Sequence, residues 1–172
     1  MNTETTVEID VLLELRDYLR ANYWFMFRRF KWLLLLLFFG AIVYPLLLVS
    51  KIALQDEVNN YWGYFIPWVL LALMFGGTYF TTKKQMASNR ALNERIHYIF
   101  SESGLATNAS TFSGQTAWAN VYETHETKTN FLIFISKTMM YIIPKRCFDS
   151  AEQIASFKRL LRSQLDAKAK WK

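Results

Sequence analysis

Several residue types are scarce in this chain, and each shortage excludes a class of chemistry. One cysteine, Cys147, among 172 residues leaves no partner for an intrachain disulfide, which suits a reducing compartment. The two histidines, His97 and His125, have no second sulfur or nitrogen donor beside them to complete a tetrahedral metal set. His125 lies between Glu123 and Glu126 at a hairpin tip expected to be solvated, and His97 has no carboxylate at a telling spacing. Arg146 beside Cys147 is a cation of the kind that lowers a thiol pKa, but no base accompanies the thiol as a nucleophile requires, so Cys147 is read as an ordinary small residue under the closing helix. The six glycines and three prolines form no phosphate-cradling loop, and neither a paired-carboxylate nor a Ser-x-x-Lys arrangement occurs. These absences point to a chain that binds rather than catalyses, with no cofactor and no metal.

The most informative shortage is of charge. Residues 32–49 and 61–80 contain no Asp, Glu, Lys, Arg or His. A bilayer core of about 30 Å takes about 20 helical residues, so 32–80 is expected to form a transmembrane hairpin with its turn in the polar stretch 50–60. The uncharged interior argues against an ion pathway or proton relay. Pro45 and Pro67 should bend the two helices. Gly40, Ala72 and Gly76 are small enough for close helix–helix contact, within the hairpin or between copies. Trp32, Tyr61, Trp62, Tyr64, Trp68 and Tyr79 suit the membrane interface.

What charge there is, formally +6, is distributed unevenly. The five acids Glu4, Glu8, Asp10, Glu14 and Asp17 precede Tyr18, whereas Arg20, Arg28, Arg29 and Lys31 abut the first apolar run. Lys83, Lys84, Arg90 and Arg95 follow the second run, and Lys51 with Asp56 and Glu57 lies between the two. Because Lys and Arg near spans are kept on the cytoplasmic side, both termini are expected in the cytoplasm. The same localisation of charge argues against a nucleic-acid footprint. The acid-rich start and the late onset of the apolar run argue against a cleaved signal peptide.

From 7 to 30, apolar residues at Val11, Leu12, Leu15, Tyr18, Leu19, Tyr23 and Phe27 suggest helical spacing. Residues 1–31 are accordingly expected to form an amphipathic juxtamembrane helix entering the headgroup layer. The polar, basic segment 81–95 is expected to continue as a helical connector. Beyond it the pattern becomes extended, with strands expected at 96–100, 104–109, 116–124, 130–136 and 139–144, divided by turn residues. The two most apolar strands are close enough for a hairpin. Ser150 and Gln153 have capping-box spacing. Ile154, Phe157, Leu161 and Leu165 then share one helix face, with Lys158, Arg159 and Arg162 pointing away. The expected fold class is α+β: a two-helix transmembrane hairpin followed by a small antiparallel β-meander (96–165) closed by a C-terminal helix, with 166–172 a frayed basic tail.

The run Phe100-Ser101-Glu102-Ser103-Gly104-Leu105, then Gly114, Ala117-Trp118-Ala119-Asn120-Val121, the apolar 131–136, and Ile143-Pro144-Lys145-Arg146-Cys147-Phe148 before a helix resemble the C-terminal domain of YcxB-like bacterial membrane proteins. The resemblance implies two membrane helices ahead of a PH-like β-module in the bacterial inner membrane. Physical reasons stand beside it: Gly104 and Gly114 sit at turns where positive φ is useful, Trp118 is a natural core residue, and Pro144 ends a strand. Lys145 and Arg146, with Lys158, Arg159 and Arg162, are the candidate contacts for an anionic headgroup or an acidic partner. The expected partners are the phospholipid bilayer and a protein partner or a second copy. The expected function is a membrane-anchored binding scaffold. The rival reading is an oligomerising hairpin that serves as an immunity or accessory subunit.

Overall fold

The computed structural model describes residues 6–53, 62–165 and 169–170. The chain divides into two units, Met1–Ala21 with Gln85–Lys172, and Asn22–Lys84. The expected turn at 50–60 therefore lies largely outside the described residues, as does most of the expected tail 166–172.

The first unit is built on β-strands. β1 (Val7–Val11) alternates buried and exposed residues, because Val7, Ile9 and Val11 face inward while Glu8 and Asp10 face out. This corrects the expected helix over 7–30: a strict two-residue alternation at the N-terminus dominates locally, and helix α1 begins only at Leu15 and ends at Arg29. β1 pairs antiparallel with β2 (Ile96–Ser101), β2 with β3 (Gly104–Asn108), and β3 with β4 (Ser113–Ala117). The expected strand 116–124 is not continuous either. A short 3-10 turn at Trp118–Asn120 divides it, and the chain resumes as β5 (Glu123–Glu126) in a second sheet.

That second sheet carries β5, β6 (Asn130–Phe134) and β7 (Met140–Pro144) in antiparallel order. A two-residue strand β8 (Ala169–Lys170) runs parallel to β5. The single meander is thus replaced by two sheets. The final helix, α4 (Ala151–Leu165), closes them. Gln153 N–H donates to Ser150 Oγ at 3.1 Å, and the Gln153 side chain reaches back to the Asp149 amide at 2.8 Å. The cap expected from the sequence therefore forms, with its reciprocal bond one residue earlier.

The core of this unit centres on Phe157, which is fully buried. Its ring meets Phe100 of β2 at 4.6 Å and Phe131 of β6 at 5.1 Å, with Phe148 at 5.2 Å. One α4 side chain therefore bridges both sheets, in the edge-to-face arrangements aromatic pairs favour. Trp118 is buried as expected and donates its indole N–H to Ser101 O at 2.8 Å, so its polar edge is satisfied. Gly104 has φ +153°, and a Cβ there would lie 2.5 Å from Thr116 O. The β3–β4 pairing thus requires a glycine at this position. Gly114 shows no positive φ and only approaches Thr107 Oγ1.

The second unit contains the latter part of α1, α2 (Lys31–Ala53) and most of α3 (Trp62–Ser88). Leu34 and Leu37 of α2 pack on Leu71, Met74 and Phe75 of α3. α1 joins them: the Tyr23 hydroxyl donates to Phe75 O at 3.1 Å, and the Asn22 amide donates to Thr82 Oγ1 at 3.0 Å. Three helices, not two, therefore pack together in this unit. A Cβ on Gly40 would lie 3.8 Å from Pro67, so Gly40 faces the partner helix. Ala72 is exposed, and nothing lies within 4 Å of a Cβ on Gly76.

The outer surface of this unit is apolar. Trp32, Leu36, Phe39, Ile42, Leu46, Leu73 and Phe80 are each 64% exposed or more. Residues Phe65–Ser88 are long and apolar enough to cross a membrane, whereas α1 and α2 meet that criterion only when joined across their bend.

Candidate functional site

The site begins where β1 hands over to α1. Glu14 N–H donates to Asp17 Oδ2 at 3.0 Å, the return bond of a helix N-terminal cap. The first turn also favours a carboxylate there, because unpaired amide groups point toward it. Asp17 is nevertheless buried, which calls for a cation.

The cation comes from the far end of the second sheet. Pro144 ends β7, and a 3-10 turn, Lys145–Cys147, follows. Arg146 Nη2 there reaches Asp17 Oδ2 at 2.6 Å and Leu12 O at 2.8 Å, with Glu14 Oε1 at 3.3 Å. The hydrogen bond to Asp17 raises the Arg146 guanidinium pKa further and outweighs the effect of burial. A clamp between residues 129 positions apart thus fixes the start of α1 to the end of β7.

Lys145 lies beside it. Its backbone N–H donates to Thr129 O at 2.8 Å, and its ammonium donates to Glu126 Oε1 at 2.6 Å. Lys158 of α4 comes within 2.6 Å of Glu126 Oε2. Burial alone would raise the Glu126 carboxyl pKa. The two ammonium groups, by hydrogen bond and by charge, hold it below the usual carboxylate range. Between β5 and β6 the turn is tied by Thr127, whose N–H and hydroxyl both donate to Asn130 O. Lys128 is exposed at its tip.

Together these segments enclose a cleft of about 300 Å³ lined by Arg16, Arg20, Lys128, Lys145 and Arg146, with Asp17 as its carboxylate. Arg16 pairs with Glu14 at 2.7 Å. Arg20 and Lys128 are exposed and have no ion-pair partner among the described residues. The arrangement can hold an anion: three cations are fixed by carboxylates and two are uncommitted.

Of the five cations singled out from sequence, Lys145 and Arg146 line the cleft and Lys158 reaches the same Glu126 from behind. Lys158 therefore does not point away, as its helix position had suggested. Arg159 and Arg162 remain exposed on α4, with Arg159 donating to Ser156 Oγ at 3.1 Å. Arg16, Asp17, Arg20 and Lys128 were missed. The alternation Val7-Glu8-Ile9-Asp10-Val11 carried the signal, since it makes the N-terminus part of the β-unit.

Both histidines differ from expectation. His125 is buried, not at a solvated tip, and lies 3.2 Å from Glu123 with its ring edge-on to Phe134. His97 does have carboxylates: Asp10, its cross-strand neighbour, at 2.9 Å, and Glu8 at 3.6 Å. Both arise from the strand that had been expected to be helix. The Cys147 thiol pKa is raised, because burial outweighs the Arg146 charge, which agrees with its reading as an ordinary small residue.

Compared with known families, residues 100–161 match the model described as YcxB-like protein. The chain carries a YcxB-like domain. No curated protein and no solved structure matches it. The YcxB-like domain supplies Glu126, Lys128, Lys145, Arg146 and Lys158 to the cleft and its supports, while Arg16, Asp17 and Arg20 come from outside the matched segment. The cleft is therefore a joint construction of that domain and the N-terminal segment.

Proposed function

We propose that this chain is a membrane-anchored, non-catalytic binding protein. It presents its YcxB-like domain, read as a PH-like module, at the cytoplasmic face of the bacterial inner membrane to an anionic partner, either an acidic protein or the membrane surface. The observation that carries the reading is the cleft with its two uncommitted cations, Arg20 and Lys128. Support for the anchor comes from apolar side chains such as Phe39 and Leu46, each 68% exposed on α2. Soluble chains rarely leave so large an apolar surface in water. Basic flanks at Arg28–Lys31 and at Lys83 and Lys84 support cytoplasmic termini. A protonated Cys147 without a neighbouring base supports a binding role over catalysis.

The test uses the full chain in native membranes. The reading expects the protein to stay with the membrane through carbonate wash and a C-terminal tag to resist protease added outside spheroplasts. It expects crosslinking from a photoreactive residue at Lys128 to capture lipid or an acidic protein. Release by carbonate, or digestion from outside, overturns it.

A second reading, the oligomerising hairpin acting as an accessory or immunity subunit, is favoured by one observation: Ala72 is exposed and Gly76 faces open space, leaving small residues available to a second copy. Loss of intermolecular crosslinks in Gly76→Leu supports it, and unchanged crosslinks remove it.

A further inference from the structure

We propose that the basic cleft binds a phosphomonoester group, held by Arg20 and Lys128 at its rim and by the anchored Lys145 and Arg146 beside them. This deepens the reading of the chain as a binding module and rests on it.

Charge comes first. Around the cleft the cations Arg16, Arg20, Lys128, Lys145, Arg146 and Lys158 outnumber the carboxylates Glu14, Asp17 and Glu126. Each carboxylate is already engaged, and Glu126 serves two lysines. A single carboxylate ligand carries one charge and is satisfied by one guanidinium fork. A phosphomonoester carries about −1.5 to −2 at neutral pH and presents three acceptor oxygens, which matches the two cations left over.

Donor type comes second. Arg20 supplies a planar fork and Lys128 a compact point charge, the two modes by which proteins hold phosphate. Thr129, whose hydroxyl has no hydrogen-bond partner among the described residues, adds a neutral donor on the same wall.

Pre-organisation and size come third. Lys145 is fixed by Glu126 and by its backbone bond to Thr129, and Arg146 by Asp17 and Leu12 O. Ordering these long side chains therefore costs the ligand little on binding. A cleft of about 300 Å³ sits at the small end of ligand sites. It suits one compact anionic group better than an acidic peptide, whose charges spread along about 3.3 Å per residue.

Two sources carry this chemistry: a soluble phosphate ester and the headgroup of a phosphatidic-acid-type lipid. The full chain is reconstituted in phosphatidylcholine nanodiscs and titrated with glycerol 3-phosphate, with acetate at equal ionic strength as comparison. The proposal expects saturable binding of the ester and none of acetate. The exposed, unpaired pair Arg20→Gln with Lys128→Gln should weaken ester binding by about tenfold or more, as the loss of two charge-assisted contacts implies. Arg159→Gln with Arg162→Gln should leave it unchanged. Phosphatidic acid in the disc should compete with the ester where phosphatidylserine at matched charge does not, if the headgroup is the source. Without that competition the soluble ester is the source.

Equal binding of acetate, or an unaltered Arg20→Gln/Lys128→Gln variant, overturns the proposal. If poly-glutamate or phosphatidylserine then binds through Arg20 and Lys128, the phosphate assignment falls and the binding module stands. If no anion binds, both fall.

Discussion

The two units use the same side chains in opposite ways. In the β-unit Phe100, Phe131, Phe157 and Leu161 are 1% exposed or less, whereas in the helical unit Leu36, Phe39, Leu46 and Phe80 are 67% exposed or more. Apolar area is withdrawn from water in the first and displayed in the second. The hydrophobic effect explains the first arrangement. It opposes the second in water, a cost that the proposed membrane anchor would remove. Polar groups reverse in the same way. The helical unit uses few, such as Asn22 on Thr82 and Tyr23 on Phe75 O, while the β-unit concentrates its ion pairs around Glu126 and Asp17.

The largest test of that contrast pairs Phe157→Ala with Leu36→Ala in the full protein. Removing Phe157 empties the meeting point of both sheets and α4, and should cost about 3–5 kcal/mol. It should be seen as loss of near-UV circular dichroism and of cooperative unfolding. Leu36→Ala should change stability in detergent by less than about 0.5 kcal/mol. Similar costs at the two positions would erase the distinction between the units.

A second pairing probes backbone instead of side chains. Gly104→Ala drives a methyl into Thr116 O and forces a non-glycine residue to φ +153°, at a cost of about 1–3 kcal/mol. Gly76→Ala, in a helix with open space around it, should be neutral or stabilising by up to about 1 kcal/mol. Thermal midpoints of the two variants decide it.

The smallest effect is electrostatic and belongs to the β-unit alone. Glu126 has a folded-state pKa depressed by its two lysines. Its contribution is therefore fully present above the ordinary carboxylate pKa of about 4.3 and is lost as pH falls through the lower folded value. Acid titration of stability should show that loss below about pH 4. Glu126→Gln should remove it while leaving the neutral-pH contribution permanently missing. An unchanged acid slope in Glu126→Gln would show that the pair does not couple to folding.

Much of this was legible in residue order. The uncharged apolar runs, the Ser150 cap, the turn glycine Gly104 and the strand-ending Pro144 all carry local signals strong enough to decide local structure. The N-terminal strand was also legible, in the alternation of Val7, Ile9 and Val11 with two acids, but a competing helical spacing from Val11 onward masked it. That error spread, since without β1 neither the carboxylates beside His97 nor the N-terminal wall of the cleft can be placed.

The uncharged apolar runs of α2 and α3, the apolar face of α4 and the β6–β7 hairpin were determined by the sequence alone, because each depends on the pattern of neighbours a few residues apart. Whether Lys145, Arg146 and Lys158 were free or engaged was not. That depended on Asp17 and Glu126, carboxylates distant in sequence from at least one of their partners, and a charge's role is set by what lies within a few ångströms of it in space. Only the tertiary structure shows that the cations expected to be free are held in place, and that the two overlooked ones, Arg20 and Lys128, are the ones left uncommitted.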